Sequence, residues 1–172
     1  MQTASADQIR ALLRAFRGIT WPAGRQKVLA LADECGWTVR LETPRGVRYD
    51  TGLPTNDQRA SALIRPDGAD GRVLDLTVHV SDRDPGTPAG LDEAYRDVAA
   101  AVQTELGEPV RTDAWEHART VWDIAGGGRV VVQKLDSVVL VLRSPEVADL
   151  ERDEERLGID PGRVPGTGHE DL

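Results

Sequence analysis

Residues 72–81 read Arg-Val-Leu-Asp-Leu-Thr-Val-His-Val-Ser, with Leu74, Leu76, Val78 and Val80 at every second position and Asp75, Thr77 and His79 between them. Side chains of a strand alternate between two faces, so this stretch needs a core on one side and a partly wet surface on the other. An antiparallel sheet with helices on its apolar side meets that need. The other segments fit this plan.

Ile9, Leu12, Leu13 and Phe16 fall at i, i+3, i+4 and i+7, one stripe of a helix that Ser5 can cap and Gly18 can end. Val28, Leu31, Ala32 and Cys35 repeat the spacing, and Gly36 stands where a left-handed terminating residue is wanted. From Trp37 the period becomes two. Val39 and Leu41 alternate with Thr38, Arg40 and Glu42, Pro44-Arg45-Gly46 turns the chain, and residues 47–50 return. Residues 61–65 read as a further short strand before 72–81.

Pro88 opens a long helix whose stripe is Leu91, Ala94, Tyr95, Val98, Ala101, Val102 and Leu106, stopped by Gly107 and Pro109. Residues 120–124 and 129–134 form a hairpin around Gly126-Gly127-Gly128, and the apolar run 138–142 suits a central strand covered on both faces. A last helix from Pro145 brings Val147, Leu150 and Leu157 onto the body. The expected fold is therefore α+β, in the order ααββββαβββα: a mainly antiparallel sheet of six or seven strands with helices packed on one face. This order is similar to the plan of type III secretion chaperones.

The 172 residues suit one domain, expected over 1–157, followed by a disordered acidic tail over 158–172 that is rich in Gly and Pro. The net charge is −8, and residues 149–172 hold 8 acidic against 3 basic groups. That balance argues against nucleic acid or an anionic membrane as partner and favours a protein with a basic surface. Cys35 is the only cysteine, so an intramolecular disulfide is impossible. With no signal-like segment and no long apolar run, a cytoplasmic location is expected.

Chemistry is sparse in the sequence. His79, with Asp75 and Thr77 on the same strand face, is the one arrangement that could orient an imidazole for acid–base work; an ordinary surface histidine is the plainer reading. His117 follows Trp115 and Glu116 in a connection and His169 lies in the tail, and neither supports a site alone. Cys35 lies on an apolar helix stripe near a helix end, the place of a small buried hydrophobe and not of an activated thiol. The three glycines 126–128 have strands on both sides, whereas a phosphate loop leads into a helix. Asp82, Asp84, Gly86 and Asp92 imitate a calcium loop only in part, and with Glu93 and Asp97 they suit a solvated loop and helix start. No metal or cofactor is expected. Trp115 stands among charges, with Asp113 and Glu116 beside it, and reads as an anchor for a protein partner.

Gly36-Trp37-Thr38-Val39, Tyr49-Asp50-Thr51-Gly52-Leu53, Leu106-Gly107-Glu108-Pro109 and Trp122-Asp123 before a valine-rich hairpin give the chain a family likeness. Over residues 5–150 it resembles a family of small uncharacterised actinobacterial proteins encoded near secreted polymorphic toxins. The resemblance implies a cytoplasmic immunity or accessory protein and supplies no catalytic residue. The expectation is thus a non-catalytic immunity protein that binds and neutralises a cognate toxin through Asp82, Asp84, Asp113, Trp115 and Glu116. A secretion chaperone or adaptor, binding an extended segment, is the alternative.

Overall fold

The computed structural model of the chain describes residues 1–83, 87–114 and 117–159. Helix α1 (Ala6–Arg17) starts at a full capping box: the Ser5 hydroxyl accepts from the Gln8 amide, and the Gln8 side chain accepts from the Ser5 amide. Its buried residues are the predicted Ile9, Leu12, Leu13 and Phe16. Helix α2 (Arg25–Cys35) buries Val28, Leu31 and Ala32, and Gly36 ends it at φ 70°, a conformation that costs a residue with a Cβ about 1 kcal/mol or more. Strands β1 (Thr38–Thr43), β2 (Gly46–Asp50), β3 (Arg59–Arg65) and β4 (Arg72–His79) then run as an antiparallel meander.

Helix α3 (Pro88–Leu106) carries the chain across the sheet to its far edge, where β5 (Arg111–Asp113) begins a second meander through β6 (Arg119–Asp123), β7 (Arg129–Lys134) and β8 (Val138–Arg143). Strand β8 closes antiparallel onto β4, giving eight strands in the order β1-β2-β3-β4-β8-β7-β6-β5. The sequence misses β5, a three-residue strand without an apolar side chain. Gly128 lies at the β6–β7 hairpin against β8: a Cβ there would meet the Arg143 carbonyl at 2.8 Å.

The inner face carries the main core, formed with α1, α2 and α3: Trp122, Tyr49, Leu76, Val78, Leu140 and Leu142 are buried there among the helix residues. Tyr49 donates its hydroxyl to the Val28 carbonyl at 3.1 Å and packs against Trp37, ring centres 5.4 Å apart. The pairing of β3 with β4 shifts between Leu63 and Ile64, so Val73, not Leu74, turns into the core.

The outer face is best followed along one register row. Leu41, Arg48, Ser61, Thr77, Val141, Val131, Val121 and Arg111 are successive cross-strand neighbours. The row begins exposed at Leu41, Arg48 and Ser61 and becomes buried at Val141, Val131 and Val121, which with Val139 make a second apolar cluster. Beside it a parallel row reads Leu63, Asp75, Arg143, Arg129 and Asp123.

Helix α4 (Pro145–Arg156) lies over this charged row, so the helices do not all pack on one face. Arg129, 2% exposed, donates to Asp123 at 2.8 Å and to Glu155 at 2.6 and 3.1 Å; Arg143 stands 3.1 Å from both Asp75 and Glu151; Glu146 pairs with Arg65 and Arg72. Of α4, only Ala148 is buried, while Leu150 and Leu157 are exposed, contrary to the expected apolar docking. The helix is held by charge because the row beneath it is charged. The expected tail from 158 lies outside the described residues from 160 onward. No helix among the described residues is long and apolar enough to cross a membrane.

Candidate functional site

Between β2 and β3 the chain takes eight residues, 51–58, where a hairpin needs two. This loop is stitched to itself: the Thr51 amide and hydroxyl both donate to the Gln58 carbonyl, Gln58 Nε2 donates to the Leu53 carbonyl, and the Thr55 hydroxyl donates to the Asp57 carbonyl. It is also tied down from outside. Asp82 accepts the Asn56 amide and the Gln2 amide, each at 2.7 Å, and Asn56 Oδ1 accepts the Arg83 amide at 2.7 Å.

The result is an open concavity of about 900 Å3 at the end of β1–β3, lined by Arg40, Asp50, Asn56, Asp57, Arg59 and Arg83 among others. Its charges are paired. Arg59 grips Asp57 with two hydrogen bonds of 2.7 Å, Arg40 lies 2.9 Å from Asp50, and Arg83 stands 3.5 Å from Asp57 and 3.2 Å from Asp136. In each of the Asp50 and Asp57 pairs the guanidinium is the more exposed member: Arg59 is 58% exposed and Asp57 5%. The hydrogen bonds from Arg59 hold the Asp57 carboxyl down at about 2.

His79 borders this wall from β4, with Nδ1 2.8 Å from the Ser137 hydroxyl and 3.2 Å from Asp57 Oδ2. Serine, histidine and aspartate thus converge, and the geometry decides what they can do. A hydrolytic triad needs acid and nucleophile on opposite ring nitrogens, whereas here both meet Nδ1. Ser137 is fully buried and donates no exposed oxygen to a substrate. Burial lowers the His79 pKa, outweighing the opposing pull of Asp57, and so disfavours the protonated ring. The cluster is a structural tie between β4, the 51–58 loop and the β7–β8 turn. Asp75, expected beside His79, instead pairs with Arg143, and its own pKa is raised by burial.

Of the expected contact residues, Asp82 spends its carboxylate on the two backbone amides, which pull its pKa down. Asp113 lies between Arg111 at 2.7 Å and Arg119 at 2.9 Å; burial would raise its pKa, but the two arginines outweigh that and hold it low. Asp84, Trp115 and Glu116 lie outside the described residues. The structure places Asp82 just past the central strand β4 and Asp113 on the edge strand β5, with β8, β7 and β6 between them, and does not bring them together. Asp92 takes an ion pair from Lys134, and among the described residues no group of three or more His, Cys, Asp or Glu could hold a metal ion. Cys35 is half-buried, and burial pushes its thiol up, away from the reactive thiolate.

Sequence reasoning passed over Asp57, Arg59, Arg83, Arg40 and Ser137. The one available signal was the loop itself: Thr51, Gly52, Pro54, Thr55, Asn56 and Asp57 form a turn-rich stretch longer than a hairpin requires.

Residues 7–144 match the model of a family of unknown function (DUF6301). No curated protein and no solved structure matches the chain.

Proposed function

The chain belongs to that family of unknown function, and on this footing we propose that it is a non-catalytic protein-binding module that neutralises a cognate secreted toxin domain from the cytoplasm. The observation that carries the reading is the open concavity at the end of β1–β3. Its carboxylates face solvent through exposed guanidinium groups, so a lysine or arginine of a partner can replace Arg40, Arg59 or Arg83 on the same Asp50, Asp57 or Asp136. Exchanging one cation for another leaves no buried charge unpaired, which keeps the cost of docking low. A concavity this open suits a protruding loop or side chain of a protein better than an enclosed small substrate.

The charge of −8 supports the same reading, because it speeds encounter with a basic surface. The buried Ser137 and the shared Nδ1 of His79 support the non-catalytic part. The adaptor reading has one observation in its favour: β1 is an edge strand with all six residues exposed, a place where an extended segment could add.

The test is co-expression with the product of the adjacent gene. The reading expects a complex that survives purification, protection of cells from that product, and loss of both with Asp50→Lys. A neighbour that neither co-purifies nor is neutralised contradicts it; binding of a non-toxic partner fragment in extended form favours the adaptor.

A further inference from the structure

The outer face of the sheet is covered by α4 on one half and by no described element on the other, and the two surfaces this creates are complementary. On the bare half, Leu41 and Leu63, 46% and 48% exposed, flank Arg48 and Ser61. Arg48 makes no ion pair among the described residues. On α4, the side turned away from the sheet shows Leu150, Asp153, Glu154 and Leu157, at i, i+3, i+4 and i+7, with the two leucines 60% and 77% exposed. Glu154 likewise has no ion pair among the described residues. One surface is a flat, leucine-bearing patch with a spare cation, and the other is a ridge with leucines and a spare anion.

From this complementarity of shape, charge and apolar surface we infer that the bare half of the outer face binds α4 of a second copy of this chain, in a two-fold symmetric dimer. A helix layer stands roughly 10 Å above a sheet, so the outer face is a step, high over β4–β8 and low over β1–β3. A two-fold axis lying between the two sheets and parallel to their strands sets the high half of each copy into the low half of the other. Each dimer then contains the same contact twice, which is what a closed isologous interface requires. The chemistry has a precedent inside the protomer, where Glu146, Glu151 and Glu155 of α4 already rest on Arg65, Arg72, Arg129 and Arg143 of the same face. Burying the four leucines removes the largest exposed apolar groups of both surfaces. The concavity lies at the opposite end of β1–β3 from Leu63 and stays open to the partner of the proposed function.

Sedimentation equilibrium of the full chain, between about 1 and 200 μM, tests this. The expected result is a dimer whose dissociation constant rises with salt. Leu63→Arg should weaken it by roughly 10- to 100-fold, with far-UV dichroism and melting temperature unchanged. Arg48→Glu and Glu154→Arg should each weaken it about 10-fold, and the double variant should recover most of that loss. Both positions are exposed, so this pair decides the matter even if Leu63→Arg disturbs folding. A monomer across the whole range, or a dimer indifferent to all these substitutions, overturns the inference.

Discussion

Follow one row of cross-strand neighbours from Leu41 to Val121 and the same sheet face changes character halfway. At Leu41, Arg48 and Ser61 it is open to solvent; at Val141, Val131 and Val121 it is closed. On the inner face only the edge strands are open, and from Val47 and Tyr49 on β2 to Trp122 on β6 both halves are buried against the three-helix layer. Next to the closed row lies the chain that follows β8. Ser144 caps α4 with its side chain on the Val147 amide, Pro145 takes the first helical turn, and the helix sets off over the charged row that Asp75, Arg143, Arg129 and Asp123 form. One half of the face is thus used for the protein's own stability, and the other is left for contact.

If that division holds, the two halves answer differently to the same insult. The largest effect is expected at Arg129, whose nearly buried guanidinium joins Asp123, Glu151 and Glu155. Arg129→Met leaves these carboxylates facing one another in low dielectric and should cost about 3–5 kcal/mol in urea unfolding, whereas Arg48→Met on the bare half should change stability by less than about 0.5 kcal/mol. A similar loss at both sites breaks the comparison.

Next in size is Val141→Thr, nearly isosteric but placing a hydroxyl in the buried cluster, for about 1–3 kcal/mol. Leu63→Ser, in the neighbouring row on the exposed side, should stay within about 0.5 kcal/mol.

Acid sharpens the comparison further. Asp57 has its folded-state pKa depressed to about 2, so its contribution is full above the unfolded value near 4 and is lost as the pH falls through 2. Asp57→Asn should remove about 1 kcal/mol of the pH-dependent stability between pH 4 and 2, the exposure of Arg59 having discounted the full shift. The smallest effect is at His79. Its folded pKa lies below the unfolded value, so the unfolded chain takes up the proton first and stability falls as the pH drops below about 6.5. A proton NMR titration should place the His79 midpoint under 6.5; a midpoint above it would mean that Asp57, not burial, governs the ring.

The parts of the fold that could be read from the sequence were those in which apolar periodicity decides. Helices α1 to α3 announce themselves through their stripes and caps, and β4 through its alternation. Strand β5 has only Arg111, Thr112 and Asp113, none of which carries an apolar signal, and it exists because β6 offers it an edge. Helix α4 misleads a reader of hydrophobic patterns: Leu150 and Leu157 mark the side it turns outward, while Glu151, Arg152 and Glu155 mark the side that docks. The His79 cluster was half legible. The histidine and its strand could be placed, but Asp57 is 22 residues earlier in a loop, and Ser137 reaches the ring only because β8 pairs with β4. Long-range register, set by packing and not by local spacing, decides such meetings.

Hydroxyl-radical footprinting of the full chain, diluted until sedimentation shows only monomer, tests the central division most directly, because it reads side-chain exposure residue by residue across the face. The account predicts rapid oxidation of Leu41 and Leu63 and strong protection of Val121, Val131 and Val141. Equal reactivity of the two groups, whether both protected or both oxidised, would contradict it.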